Sequence, residues 1–245
     1  MKEKELRAAL VAGARGLRES GLDPHGSVDI SARIGPAMLI TPAPIAHSDV
    51  RPAMIAIMPI EGEYGKWSGR FKPSEEWRLH LDIMRARADI GAIVHFRPVW
   101  ATSLAMLRKP IPAVDYRIAT FGGPTIRCAD YAPYGTKDLA ELVVTALEDR
   151  QAALIANHGA IVTGADLNEA MRRAAELEML AQMYSLALAA GRPAILPDDE
   201  ITRIVERLKG ARAATPAPAK GAKKAPRKKA RSRKAATKVK SKRRV

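Results

Sequence analysis

A layered α/β domain is the fold class this sequence predicts, on three observations. Helix-type spacing of apolar residues alternates along the chain with short β-like runs. Two of those runs, GAIVHF (91–96) and AALIA (152–156), are compact and apolar enough to be buried strands. The chain of 245 residues is 47% hydrophobic, enough to build the core of one domain of ordinary size with an appendage.

Residues 2–20 place apolar side chains at helical spacing, and Gly21 ends the run. Short β-like runs follow at Val28–Ile30, Ala37–Thr41 and Met54–Met58, and Glu61-Gly62-Glu63-Tyr64-Gly65 reads as a turn. Ser74 is expected to start a helix through about Ala88, with Glu75 and Glu76 in the first turn, where the helix dipole favours acid. The strand Gly91–Phe96 leads into a helix opened by Pro98, a position that tolerates a missing N–H. A further helix is expected from Thr136 to Glu148, then the strand Ala152–Ala156, a turn at Asn157-His158-Gly159 and the run AIVTG. Asp166 caps a long helix to Ala190, stopped by Gly191 and Pro193, and a last helix spans Asp198–Leu208.

The formal charge of +15 is not spread evenly. Residues 211–245 hold 15 Lys or Arg and no Asp or Glu, which leaves 26 residues of each sign in 1–210. The domain is therefore expected at 1–210 and is formally neutral. The segment 211–245, rich in Ala, Pro, Lys and Arg, has too little apolar surface to offset ordering entropy and is expected to be a disordered tail. Such a run would attract nucleic acid or another polyanion through counterion release, without sequence preference; a merely solubilising tail is the alternative. No aromatic residue is interleaved for base stacking. One cysteine excludes an internal disulfide framework, and the N-terminus reads as an amphipathic helix, so a reducing, cytoplasmic location is expected. No apolar run reaches the ~18 residues of a membrane helix.

Two histidines, His95 and His158, stand at the ends of buried-strand patterns, where α/β sheets place ligand groups. Imidazole there is either a metal ligand or a hydrogen-bonded structural group, and spacing alone leaves both open. Glu76 is likewise a general base or simply an acid that complements a helix dipole.

The order of motifs adds more. ITP (40–42), PSEEW (73–77) with His80, VHF (94–96), VDYRIATFGG (114–123), CADYAPYGT (128–136) and ANHG (156–159) resemble the class II aldolase/adducin family, most of all its fuculose-phosphate aldolase branch. The resemblance extends from the first helix to about residue 208. It implies a three-layer α/β/α domain with a mixed central sheet and a cyclic homotetramer. It also implies a divalent zinc held by three histidines, which stabilises the enediolate formed as a carbon–carbon bond breaks. A glutamate then moves the proton, and a tyrosine from a neighbouring subunit assists at the leaving oxygen. By motif position Glu76 matches that glutamate, Tyr116 the tyrosine, and His95 and His158 two of the metal histidines.

Several positions depart from that pattern. The family's His-x-His reads His95-Phe96-Arg97 here, and a guanidinium has no lone pair for a metal and repels one. A zinc site is thus expected to be weakened or lost. Arg97 is expected to bind a substrate carboxylate, to pair with Glu76 or an aspartate, or to point to solvent, with the ion pair ranked ahead. The phosphate loops of the family resemble G-N-I-S, T-P-[ST]-G and P-S-S-E; this chain has Val28-Asp29-Ile30-Ser31, Thr41-Pro42-Ala43-Pro44 and Pro73-Ser74-Glu75-Glu76. Only Ser74 persists as a substrate-binding group. Asp29 and Glu75 would repel a phosphate dianion unless a cation intervenes, so a non-phosphorylated substrate is expected. Cys128, Tyr131 and Tyr134 are expected to be structural, packing or interface residues, and His25 and His47 to lie in loops.

The resulting expectation is a divergent aldehyde-lyase acting on a small hydroxy-carbonyl or hydroxy-acid substrate. Its rival is a catalytically silent, adducin-like scaffold that displays basic tails.

Overall fold

The computed structural model describes residues 1–214 apart from Pro44 and His47. The expected tail from residue 215 on, and the loop expected at His47, lie outside the described residues.

The helices are α1 (Glu3–Glu19), α2 (Trp77–Ala86), α3 (Val99–Met106), α4 (Lys137–Ala146), α5 (Leu167–Ala190) and α6 (Asp198–Ala214). The strands are β1 (Asp29–Ile34), β2 (Ala37–Ile40), β3 (Ala56–Pro59), β4 (Ala92–Phe96), β5 (Ile111–Pro112), β6 (Thr125–Ala129), β7 (Ala152–Ile155) and β8 (Gly159–Gly164). They form one mixed sheet in the order β3-β2-β1-β4-β8-β7-β6-β5. Every neighbouring pair is antiparallel except β6 and β7, which run parallel.

Strand alternation divides the core into two. Ala92, Val94 and Phe96 of β4 pack with Leu10 of α1, Leu104 of α3, Leu177 of α5 and Ile201 of α6 on one face. Ile93 faces the other way, with Leu79 and Ile83 of α2 and Leu139 and Val143 of α4. This is the three-layer α/β/α arrangement that the motif order implied. Among the described residues no helix is long and apolar enough to cross a membrane.

Three local expectations need correction. The helix expected at Ser74 begins at Trp77, with Glu76 at its N-cap. Residues 73–76 are instead tied to the exit of β2: Pro73 bridges Pro42, and Ser74 N–H donates to the Thr41 carbonyl at 2.9 Å. The last helix continues past Leu208, and past the domain limit expected at 210, to Ala214. Alanine and arginine are strong helix formers, and they follow Gly210. Two strands, β5 and β6, were not read from the sequence. TIRCA gives only a broken alternation, because Arg127 of β6 lies across the end of α4 and donates to the carbonyls of Thr145, Ala146 and Glu148.

Candidate active site

β4 supplies the floor of the site. With Val94 and Phe96 turned to the α1/α5 side, His95 must face α2, and Arg97, two residues on, follows it just past the strand end. In the β1–β4 ladder Asp29 is directly opposite His95 and Ser31 opposite Ile93, so both β1 side chains share that face. Ser31 Oγ is 2.7 Å from Nδ1 of His80, which α2 presents from above. Asp29 Oδ2 lies 3.5 Å from His95 Nδ1. His80 and His95 are fully buried. Burial holds the His80 imidazole down to about 4 and the His95 imidazole to about 3, the latter also through the neighbouring His158 and Arg97. Both rings are therefore neutral at neutral pH, and neither nitrogen of His95 has a hydrogen-bond partner among the described residues.

His158 arrives from the tight β7–β8 connection. Asn157 adopts a left-handed φ of 54°, stabilised where its Oδ1 accepts from Arg108 Nε, and His158 N–H donates to the Ile155 carbonyl. Gly159 follows because only glycine fits: a Cβ there would meet the Phe96 carbonyl oxygen at 2.6 Å and Arg97 Cγ at 3.1 Å. This close approach brings the His158 ring to 4.9 Å from that of His95, edge to face.

Two groups of opposite charge meet at His158 Nε2. Arg97 Nη2 donates to it at 2.8 Å, while Nη1 of the same guanidinium donates to the Ser27 carbonyl at 3.1 Å. A guanidinium only donates, so Nε2 accepts and the ring proton sits on Nδ1. Glu76 Oε1 is 3.4 Å from the same Nε2, and its Oε2 accepts from the Gly135 N–H at 3.3 Å. Burial alone would raise the Glu76 carboxyl; contact with His158 and the field of His95 outweigh it, and the net shift is downward. Ser74 Oγ accepts from the Glu76 N–H at 3.1 Å and fixes the start of α2.

Around these groups opens a cavity of about 780 Å³. Ser74, Glu75, Glu76, Arg97 and His158 line it, together with Asp29. One cationic contributor went unread in the sequence: Arg18, from the end of α1, also reaches it, as does the loop residue His25. Arg18 sits in the last turn of an amphipathic helix, where a basic residue ordinarily complements the dipole, so nothing singled it out. Arg18 tempers the negative charge that Asp29 and Glu75 bring.

The site residues read from the sequence fare differently. Glu76, His95, His158, Ser74 and Arg97 come together. Tyr116 does not join them within one chain: it is 58% exposed on the 3-10 turn Tyr116–Phe121, outside the cavity lining. Among the described residues the ranked ion pair of Arg97 is absent, since its direct partners are an imidazole and a carbonyl; nor does it point to solvent, being half-buried. Tyr131 and Tyr134 are exposed and line the cavity mouth, unlike packed core residues. Cys128 is half-buried, and burial, aided by Asp130, pushes its thiol up to about 11, which leaves it protonated and unreactive.

The donors do not fit a divalent cation as they stand. The His158 Nε2 lone pair is taken by a guanidinium N–H, and that permanent cation lies where a second metal histidine would be needed. The single free lone pair of neutral His95 supplies one ligand, fewer than a stable site requires. Among the described residues no group of three or more His, Cys, Asp or Glu side chains is arranged to hold a metal.

Comparison with known proteins agrees with the fold. Residues 8–185 match the family described as Class II Aldolase and Adducin N-terminal domain. The 5-methylthioribulose-1-phosphate/5-deoxyribulose-1-phosphate aldolase of Rhodospirillum rubrum is 42% identical over 215 residues, 87% of this chain and 96% of that protein. The L-fuculose phosphate aldolase of Escherichia coli strain K12 is 36% identical over 210 residues, covering 85% and 96%. A solved L-fuculose 1-phosphate aldolase superimposes with a TM-score of 0.80 at 36% identity, over 84% of this chain and 96% of that one. Each of these relatives is named for a phosphorylated sugar, and the expectation of a non-phosphorylated substrate draws no support from them.

Proposed function

The chain belongs to the class II aldolase and adducin family, whose relatives here are aldehyde-lyases, and from that premise we propose a divergent aldolase-type lyase acting on a small, sugar-derived hydroxy-carbonyl compound. The observation that carries this reading is the convergence of Glu76, Arg97 and His158 on one point of the cavity.

The chemistry follows from what each group can do. Glu76, ionised at neutral pH, takes the proton of the substrate hydroxyl next to the bond to be cleaved. The carbon–carbon bond breaks, an aldehyde leaves, and the electron pair enters the neighbouring carbonyl to give an enediolate. Arg97 donates N–H bonds to the developing oxyanion in a partly dry pocket, where such bonds are strongest. The proton on Glu76 then returns to carbon, which completes the second product. His158 holds the guanidinium in place, and Ser74 fixes the backbone that aims Glu76. Tyr116, exposed and outside the cavity lining of its own chain, would in this reading serve the site of a second copy in a homotetramer, and a cytoplasmic location is part of the same reading. Whether the substrate bears a phosphate, as in the relatives' names, is decided by assay. Full-length protein is expected to release aldehyde from at least one member of a matched panel of ketoses and ketose 1-phosphates. No release from any member would contradict the lyase.

The loss of a free lone pair at His158 favours a second reading, an oligomeric scaffold whose tails bind polyanions. DNA affinity that falls steeply with salt in the full chain, and disappears in a chain ending at Ala214, is the expected sign of such tails. Equal binding by both chains contradicts it.

A further inference from the structure

Arg97 is an unusual cation for its surroundings. It is half-buried, yet both of its direct partners, the Ser27 carbonyl and the His158 imidazole, are neutral. It forms no ion pair among the described residues, whereas buried Arg173 in α5 has Glu169 at 3.1 Å. Glu76 stands across the His158 nitrogen from it but makes no direct ion pair with it, so a half-buried guanidinium is left able to gain from an anion that pairs with it directly. Two of its five N–H groups are used, and three are left, enough for the two-pronged pairing that guanidinium makes with planar oxyanions. Arg18, which lines the same cavity, adds a second positive charge against Asp29, Glu75 and Glu76.

We propose that Arg97 is a substrate-binding residue that takes the carboxylate of a small hydroxy-oxo acid, whose separate carbonyl receives the electron pair, so that the cavity selects acids over neutral polyols. This rests on the reading that the cavity binds substrate, and it narrows the substrate class. A carboxylate seated on Arg97 places the hydroxyl-bearing carbons alongside Glu76, whose carboxylate approaches the same His158 nitrogen. The fork pairs with either oxyanion, but a singly charged carboxylate is repelled less than a phosphate dianion in a pocket that also presents Asp29 and Glu75.

Calorimetric titration of the full-length protein with erythronate, erythritol, erythronamide and inorganic phosphate tests this. Erythronate is expected to bind, while the neutral polyol and amide do not. Arg97→Gln is expected to weaken erythronate about 10- to 100-fold, and Arg97→Lys, which keeps the charge and loses the fork, by less. Equal binding of erythronate and erythronamide overturns the proposal, and this comparison needs no variant to fold. Undiminished binding by a folded Arg97→Gln overturns it too, as does phosphate binding more tightly than erythronate through Arg97. Aldehyde release is read separately. Erythronate binding without release from any substrate contradicts the lyase and leaves the carboxylate site standing; release from neutral ketoses without acid binding does the reverse.

Discussion

The two halves of the site are built from the same sheet but behave as different materials. In the closed half Ser31, His80 and His95 sit between β1, β4 and α2, fully buried, with both imidazoles held neutral. In the open half Arg97, His158 and Glu76 sit at strand ends and on the tight β7–β8 turn, facing the cavity. The closed half is packed between layers, where a changed volume or charge is felt by the whole core. The open half tolerates an arginine in a metal-histidine position because loop ends can re-aim a long side chain without moving the sheet. Chemistry can thus change at the mouth while the floor stays as it was.

The sharpest way to break this division is to act on the open half alone. Glu76→Gln keeps the shape and the Gly135 contact while removing the base, so turnover on whatever substrate proves active should fall about 10²- to 10⁴-fold with little change in melting temperature. Steady-state kinetics beside thermal unfolding would show it. A loss of stability as large as the loss of rate would mean that the halves are not separable. At the seam between them, Gly159→Ala should cost about 1–3 kcal/mol, because its Cβ would press on the Phe96 carbonyl, a backbone atom that cannot swing aside. It should also displace His158 from Arg97. Urea unfolding measures the cost, and an unchanged midpoint would show that the close approach is not required.

A smaller effect belongs to the closed half. The folded-state value of His80 is about 4, below its ordinary 6.5, so the unfolded chain binds the extra proton first. The stability this neutral ring contributes is complete above about pH 6.5 and declines as pH falls toward 4. The urea midpoint should therefore drop between pH 7 and pH 5, and His80→Gln should flatten that slope. A slope unaltered by the substitution would place the sensitivity elsewhere.

How much of this was legible in the sequence follows the same division. The strand pattern of GAIVHF gave β4 and, with period two, the common face of His95 and Arg97. The motif order gave the layers. Register was not legible: that Asp29 pairs with His95, and Ser31 meets His80, depends on β1 docking beside β4 across some sixty residues of chain. The partners of Arg97 were hidden for a related reason, since Ser27 and His158 come from loops whose path is set by the Gly159 approach. Ser74 looked like a helix start because its Oγ does accept a nearby N–H, but that bond to Glu76 fastens an extended segment that precedes the helix.

The central claim is that a guanidinium has displaced metal binding by occupying the His158 lone pair. Elemental analysis of full-length protein, dialysed against zinc after chelator treatment, tests it most directly when run beside Arg97→His. The account predicts well under one zinc per unmodified chain and close to one in the variant. One tightly held zinc per unmodified chain would contradict it.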